Sequence, residues 1–292
     1  MLEIAPDHGL DNLTFVAFDV ETTGLSPISN ALVELSGVKF NLKDDTTQTF
    51  STLINPLCEI TPQLTSIHGI SNEMVADSPT YHTAVPAFLE WAGDSVFIAH
   101  NASFDVEFIR VNVSKLGRAC PSNFVIDTLV LSRELLPDSP RHQLKTVVDY
   151  LGLPPGDYHR ALSDSFHVRG IFMKLMEQAN YRQWQNLLAL GSVSGFSHDR
   201  FKEEVHASMP EAVRQIMASI EIAISEKINV NITYNGAFRS KRTVQPVSLI
   251  HSRGNFYLNA FCQKAQAERI FRVDKIEALK TVKAKAKATL SV

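Results

Sequence analysis

The sequence predicts a mixed α/β domain, a sheet with flanking helices, followed by a small and mostly β module. Three observations lead there. The length of 292 residues suits two domains at roughly 150 residues each. Strand-like runs come first, then strands interleave with helical runs, as in an α/β sheet, and short β-rich runs close the chain. Charge divides along the same line: from Lys227 onward there are thirteen Lys/Arg and three Asp/Glu, a balance of +10, whereas the first 226 residues hold 15 basic and 28 acidic side chains, a balance of −13. An asymmetry of that size points to two domains with different partners.

The elements follow in order. Leu13 to Val20 alternates and then becomes apolar, a strand that ends at Glu21-Thr22-Thr23-Gly24. Ala31 to Phe40 and Gln48 to Ile54 read as two further strands, with Asp44 and Asp45 in the turn between them. Residues 80–92 are helical in period, Ser95 to Ala99 is a short apolar strand, and Phe104 to Leu116 is amphipathic. A brief strand at Phe124 to Ile126 and helices near 127–136, 142–151 and 160–178 complete the first region. Residues 179–212, containing Gly191-Ser192-Val193-Ser194-Gly195, carry little periodicity and are expected to be a linker. Pro210 introduces a helix over Glu211 to Lys227. Four β-rich runs come after it, Ile228 to Tyr234, Thr243 to His251, Asn255 to Cys262 and Arg269 to Val273, broken by Asn-Gly and Arg-Gly turns. The expected division is therefore 1–178, a linker over 179–212, and 213–292.

Composition removes several classes of function. With 45% hydrophobic and 20% charged residues the chain suits a globular protein and not a disordered one. Its net charge of −3 argues against a protein that simply coats nucleic acid, until the two halves are counted apart. Cys58, Cys120 and Cys262 are odd in number and form no CxxC pair, so neither a disulfide framework nor a thiolate zinc site is expected. The acidic N-terminus lacks the basic and apolar regions of a signal peptide, and no apolar run approaches the roughly 20 residues that span a bilayer. The expected location is the cytoplasm, with no membrane partner.

Asp19 and Glu21 stand two apart at the end of an apolar strand, so both carboxylates leave the same face. Paired anions repel unless a cation lies between them, and hard oxygen ligands of this kind suit Mg²⁺ or Mn²⁺. An isolated Asp-x-Glu is more often a solvated strand end. Here Asp105 and Asp164 add two more carboxylates near helix starts, although either could be an N-terminal helix acid favoured by the macrodipole.

Asp19-Val-Glu21-Thr-Thr-Gly-Leu25, His100-Asn-Ala-Ser-Phe-Asp105 and His159-Arg-Ala-Leu-Ser-Asp164 resemble, in order, the three motifs of DEDDh 3′→5′ exonucleases. That family includes the proofreading epsilon subunit of bacterial DNA polymerase III and ribonuclease T. The likeness covers roughly residues 12 to 178, and Ile67-His68-Gly69-Ile70 with Asp77-Ser-Pro79 resembles the stretch between the first two motifs. It implies an RNase H-like fold in which Asp19, Glu21, Asp105 and Asp164 hold two divalent ions. Two such metals stabilise the attacking and leaving oxygens of an in-line displacement at phosphorus, and they would let a −13 region receive a phosphodiester.

By the same resemblance His159, five residues before Asp164, is the general base, with His167 and His100 as rivals. The related DEDDy class has Tyr four residues before that Asp, where this chain has Arg160. Thr22, Thr23, Gly24 and Leu25 would bind the terminal nucleotide, the alternative being that Gly24 makes a turn and Leu25 is core. His100, Asn101 and Phe104 are expected at the 3′ end, with a core role for Phe104 as the alternative.

Residues 213–281 resemble a WYL domain, a small Sm-like β-barrel module. The match rests on Tyr234, Arg242-Thr-Val-Gln-Pro246, Leu249, Phe256-Tyr257-Leu258, Ala260 and Arg269-Ile-Phe-Arg272, with Phe256 where the family's Trp stands. WYL domains are thought to sense ligands, in several cases nucleic acid. Arg242, Tyr257, Arg269 and Arg272 are the expected binding residues, since Arg with aromatics suits single strands. The expected function is a 3′→5′ exonuclease on nucleic acid, DNA favoured over RNA. The alternatives are an RNA-trimming exoribonuclease and a nucleic-acid-binding regulator with an inactive nuclease fold. A polymerase partner is compatible with the resemblance but is not indicated by it.

Overall fold

Phe15 to Phe18 is buried on both faces, which makes β1 (Phe15–Thr22) a central strand. The structure, a computed structural model, describes residues 10–43, 46–179, 192–193 and 209–282. By contact the chain divides into two compact units, Met1–Val113 with Cys120–His198 and Ser114–Ala119 with Asp199–Val292.

In the first unit β1 pairs antiparallel with β2 (Leu32–Phe40), which pairs antiparallel with β3 (Gln48–Leu53). On its other side β1 runs parallel to β4 (Val96–Ala99), and β4 parallel to β5 (Val125–Asp127). A two-residue β6 (Ser192–Val193) closes the order β3-β2-β1-β4-β5-β6. Part of the expected linker therefore belongs to the sheet. Residues 180–191 and 194–208, the Asp44–Asp45 turn and the acidic N-terminus lie outside the described residues.

Before the next strand come two short helices, α1 (Pro62–His68) and α2 (Asn72–Val75). Helices α3 (Tyr81–Ala92) and α4 (Ser103–Lys115) then cover one face of the sheet. Val16, Phe18 and Phe97 meet Val85, Phe88 and Phe108 there. Helices α5 (Thr128–Leu135), α6 (Leu144–Tyr150) and α7 (Ala161–Ala179) cover the other face, where Phe15, Ala17 and Ile98 meet Leu131, Val148 and Phe172. Because side chains alternate along a strand, Asp19 and Glu21 continue the Phe15 and Ala17 side, towards α7.

The second unit packs α8 (Glu211–Ser225) on a five-stranded antiparallel sheet, in the order β10-β9-β8-β7-β11. The strands are β7 (Val230–Asn235), β8 (Arg239–Ser252), β9 (Asn255–Cys262), β10 (Ala267–Arg272) and β11 (Ile276–Thr281). Met217, Ile220 and Ala223 of α8 bury against Val230, Ile232, Val244, Leu258 and Phe271. Arg253 and Gly254 both have left-handed backbones, φ 47° and 74°, as a two-residue hairpin with a type I′ turn requires.

Candidate active site

The parallel pairing of β1 with β4 covers only Phe15 to Ala17. Beyond it β4 turns away through residues 100–102 into α4, opening a crevice at the carboxyl end of the central strands, where open α/β sheets place their ligands. Asp19 and Glu21 lie in that crevice, half-buried. β1 extends two residues past its expected end, so Glu21 and Thr22 are strand residues.

Asp105, in the first turn of α4, is buried, and its Oδ1 accepts the Val20 N–H at 3.2 Å. Asp164, in the first turn of α7, is buried too, and its Oδ2 accepts the His159 N–H at 2.8 Å. Ligand atoms of Glu21, His159 and Asp164 all lie within 4.8 Å of one another. These three belong to a cleft of about 560 Å³ whose lining also includes Asp19, Asp105, His100, Asn101 and Phe104.

Electrostatics tie the four carboxylates together. Burial, then the charges of Asp105, Glu21 and Asp164, hold the Asp19 carboxyl well above the usual range. Burial, then Asp164 and Glu34, push Glu21 up to about 8. Asp105 is raised by burial above all, against the Val20 hydrogen bond that lowers it. Burial also raises Asp164, against the hydrogen bonds from His159 and His167. Arg160 offsets this only in part: its charge lowers Glu21, while its Nη2 and Nε bind Glu34 at 2.9 and 3.2 Å. Four oxygen-bearing acids whose charges oppose one another fit divalent hard cations, which would relieve that repulsion.

Glu34 was not singled out by sequence. It is buried on β2 opposite Glu21, and it also accepts the Ala161 N–H at 2.9 Å, so it fixes the start of α7. Its signal was a lone acid inside the apolar run Leu32–Phe40, a position tolerated only with partners. Asp127 was missed as well. It caps α5 through Leu129 and holds the N–H groups of Asn101 and Ala102 at 3.0 and 3.1 Å, pinning the turn before α4. Gln143, Leu144, Lys145 and Tyr158 are further lining residues that sequence did not indicate.

The three histidines differ in what they already do. His167 is buried, 3.5 Å from Asp164 Oδ1, and its ring stacks on Tyr158 at 4.9 Å. His100 bonds through both nitrogens, to Thr128 Oγ1 at 2.9 Å and, donating from Nε2, to the His142 carbonyl at 2.8 Å. His159 is exposed at the cleft, with a left-handed backbone, φ 63°. Its main-chain N–H is held by Asp164.

Thr22 to Leu25 are not among the residues lining the cleft. The Thr22 hydroxyl is buried in a bond to the Gly24 carbonyl at 2.8 Å, and Thr23 ties the turn to Ala31. Gly24 has φ 145°, and a Cβ there would stand 2.8 Å from the Asn30 side chain. Leu25 is 78% exposed, which removes the core alternative for it. Phe104 is half-buried against Phe108 and also lines the cleft.

In the second unit the four expected binding residues do not share a face. Tyr257 pairs with Arg272 across β9 and β10, on the side away from the core residues Leu258 and Phe271. Arg269, three residues before Arg272, leaves the opposite side of the strand. Arg242 stands opposite the core residue Ile232, with its guanidinium at Ser240 Oγ and Cys262 Sγ. The even–odd alternation of strands divides the set two and two.

Comparison with known proteins fits this geometry. A family model described as Exonuclease matches residues 16–172, more than half of the chain. This protein belongs to that exonuclease family. Residues 215–281 match the WYL domain, so an exonuclease domain is joined here to a WYL domain. The exonuclease domain is 40% identical over 164 residues to a DNA polymerase III PolC-type of Caldanaerobacter subterraneus subsp. tengcongensis, spanning 56% of this chain and 12% of that protein. It is 36% identical over 173 residues to the PolC-type polymerase of Staphylococcus haemolyticus, spanning 59% and 12%. The chain thus spans about 12% of the length of these curated relatives. The crystal structure of cell-death related nuclease 4 shares the fold at a TM-score of 0.51 and 16% identity, over 58% of this chain and 64% of that one.

Proposed function

We propose that this exonuclease-family chain is a DEDDh-type, metal-dependent 3′→5′ exonuclease that releases nucleoside monophosphates from single-stranded DNA ends. The observation that carries the reading is the convergence of four repelling carboxylates and an exposed His159 on one cleft. Asp19, Glu21, Asp105 and Asp164 would hold two divalent ions, Mg²⁺ or Mn²⁺, whose chemistry is to stabilise the attacking and leaving oxygens at phosphorus.

The remaining work falls to this chain's own side chains. His159 takes a proton from the attacking water as its oxygen bonds to phosphorus; the P–O3′ bond breaks and the leaving O3′ takes up a proton from solvent, giving a new 3′-hydroxyl and a free 5′-monophosphate. Its rivals are occupied, His167 with Asp164 and Tyr158 and His100 through both ring nitrogens. Glu34 and Arg160 fix the start of α7 and so aim Asp164. Asn101 and Phe104 meet the terminal nucleotide, and His100 braces the turn that carries them. The backbone of Thr22 to Leu25 and the exposed Leu25 side chain border the same nucleotide.

The domains are assigned to residues 1–178 and 213–292, with 179–212 between them and Ser192–Val193 of that stretch paired to β5, and the WYL domain is assigned to binding or sensing nucleic acid. Its excess of basic residues supports that role. No described helix is long and apolar enough to cross a membrane. The exposed Cys58 thiol suits a reducing, cytoplasmic setting.

Matched 5′-labelled DNA and RNA oligomers, each with Mg²⁺ and with Mn²⁺, test the reading. Stepwise loss of 3′ nucleotides from DNA, abolished in Asp19→Ala and Asp164→Ala, is expected. Equal hydrolysis by the variants and the unaltered chain would falsify the assignment, and faster loss from RNA would overturn the choice of substrate.

A further inference from the structure

Phe238 is 87% exposed, the most exposed large apolar side chain among the described residues. It stands at the tip of the β7–β8 hairpin, between Gly236 and Arg239. The hairpin is anchored from beneath. Tyr234 packs edge-on against Phe271 at 5.2 Å, and a Cβ on Gly236 would come within 3.0 Å of the Tyr234 ring. Phe238 is thus presented from a packed base.

The two hairpin strands and the neighbouring β11 carry a polar face. The register pairs Lys280 with Asn231 and Asn231 with Thr243, and one row further on Ala278 with Thr233 and Thr233 with Lys241. Val230, Ile232 and Val244 fill the core on the opposite side, so these rows look away from it. Asn231, Lys241 and Lys280 are exposed. The Thr243 hydroxyl donates to Asn231 Oδ1 at 2.7 Å, which leaves the Asn231 amide nitrogen as an outward donor. The carboxylate of Glu277 is engaged by Arg239 at 2.7 Å. Neither Lys241 nor Lys280 has a carboxylate partner among the described residues.

We propose that the β11–β7–β8 face and the hairpin tip form a single-stranded nucleic-acid-binding surface, with a base stacked on Phe238 and phosphates on Lys241 and Lys280. An exposed aromatic at the tip of a hairpin whose outward face carries cations and an amide donor matches what a single strand offers, a π-face and a phosphate, with no need for sequence readout. Two strand spacings and one row put the two lysine Cα atoms about 12 Å apart, a span that a few nucleotides cover. A folded protein partner fits less well, because a lone Phe among Thr, Asn and Lys provides no contiguous apolar centre. The inference deepens the nucleic-acid reading of the WYL domain and rests on it, while placing the contact on residues other than Tyr257 and Arg272.

Fluorescence anisotropy of a labelled oligothymidylate with the full chain, in EDTA to prevent hydrolysis, tests it. Phe238→Ala should weaken binding on the order of ten-fold, and Phe238→Trp should retain it. The double change Lys241→Glu and Lys280→Glu should lower the slope of log K against log salt by about 1.4, two phosphate contacts at roughly 0.7 each. Hydrolysis of the p-nitrophenyl ester of thymidine monophosphate with Mn²⁺, which reports the cleft alone, should be unchanged in all of these variants. Full affinity in Phe238→Ala and in the double variant overturns the surface, as does a loss seen only in Arg272→Ala or no binding by the unaltered chain. Failure of the unaltered chain to hydrolyse the ester refutes the nuclease reading instead, and leaves the anisotropy result to stand or fall alone.

Discussion

Raising the pH should destabilise the metal-free protein, and a divalent cation should reverse the effect. Burial and neighbouring acids move Glu21 from the ordinary 4.5 to about 8, and Asp19, Asp105 and Asp164 shift in the same direction. Below pH 4.5 the Glu21 carboxyl is protonated in both folded and unfolded chains and contributes nothing. Between 4.5 and 8 the unfolded chain releases the proton and the folded chain keeps it. Stability then falls by about 1.4 kcal/mol per pH unit. Above 8 both states are ionised and the loss levels off. Taken at face value the total is about 5 kcal/mol, and water reaching the half-buried group halves it to about 2.5 kcal/mol. At about 2–4 °C per kcal/mol for a domain of this size, the melting temperature in EDTA should drop by roughly 5–10 °C across that pH interval. Circular dichroism melts in EDTA and again with Mn²⁺ measure this directly. Glu21→Gln should flatten the profile, and Mn²⁺ should raise the melting temperature most at the alkaline end. A level or rising profile in EDTA, or a fall that Glu21→Gln leaves untouched, refutes the carboxylate repulsion on which the metal assignment stands.

Three substitutions extend the reasoning. His159→Ala should lower kcat by about 10²–10⁴ while Mn²⁺ affinity by calorimetry stays within a few-fold; if His167→Ala proves the crippling change, the base is misassigned. Glu34→Gln, which removes the charge that holds Arg160 and Ala161, should cost about 2 kcal/mol, read as a lower urea midpoint, and an unchanged midpoint would contradict its role at the start of α7. Phe18→Ala, deleting a fully buried ring 5.4 Å from Phe97 and 5.9 Å from Phe88, should cost about 3–5 kcal/mol, and a loss under 1 kcal/mol would mean the core collapses onto the cavity.

The sheet strands and long helices were legible because their hydrophobic period is clean: β9 spans Asn255–Cys262 as expected, and α8 begins at Glu211 after Pro210. Where the period breaks, reading failed. β11 was missed because a bulge at Glu277 shifts the register, so Ile276 and Leu279, three apart, both turn inward. α1 and α2 were missed because seven and four residues are too few for a helical period to show. Arg269 and Arg272 were expected in one binding set, yet three positions along a strand put them on opposite faces.

The net charge of −3 hid two opposite halves, and counting the charges on either side of Lys227 exposed them. Which residues carry the acidic cluster was readable by itself, because Asp19, Glu21, Asp105 and Asp164 stand at fixed offsets within recognisable peptides. What those residues are to one another was decided by tertiary structure. Burial and mutual repulsion raise their pKa values, Glu34 commits Arg160, and His167 and His100 are occupied while His159 is exposed at the cleft. Apart from His167, whose partners Asp164 and Tyr158 are near in sequence, these depend on pairings between residues 26 to 127 positions apart, such as Asp127 with Asn101 and Glu34 with Ala161. Local periodicity reports which face a side chain leaves, and only the closed fold brings the opposing partner within reach.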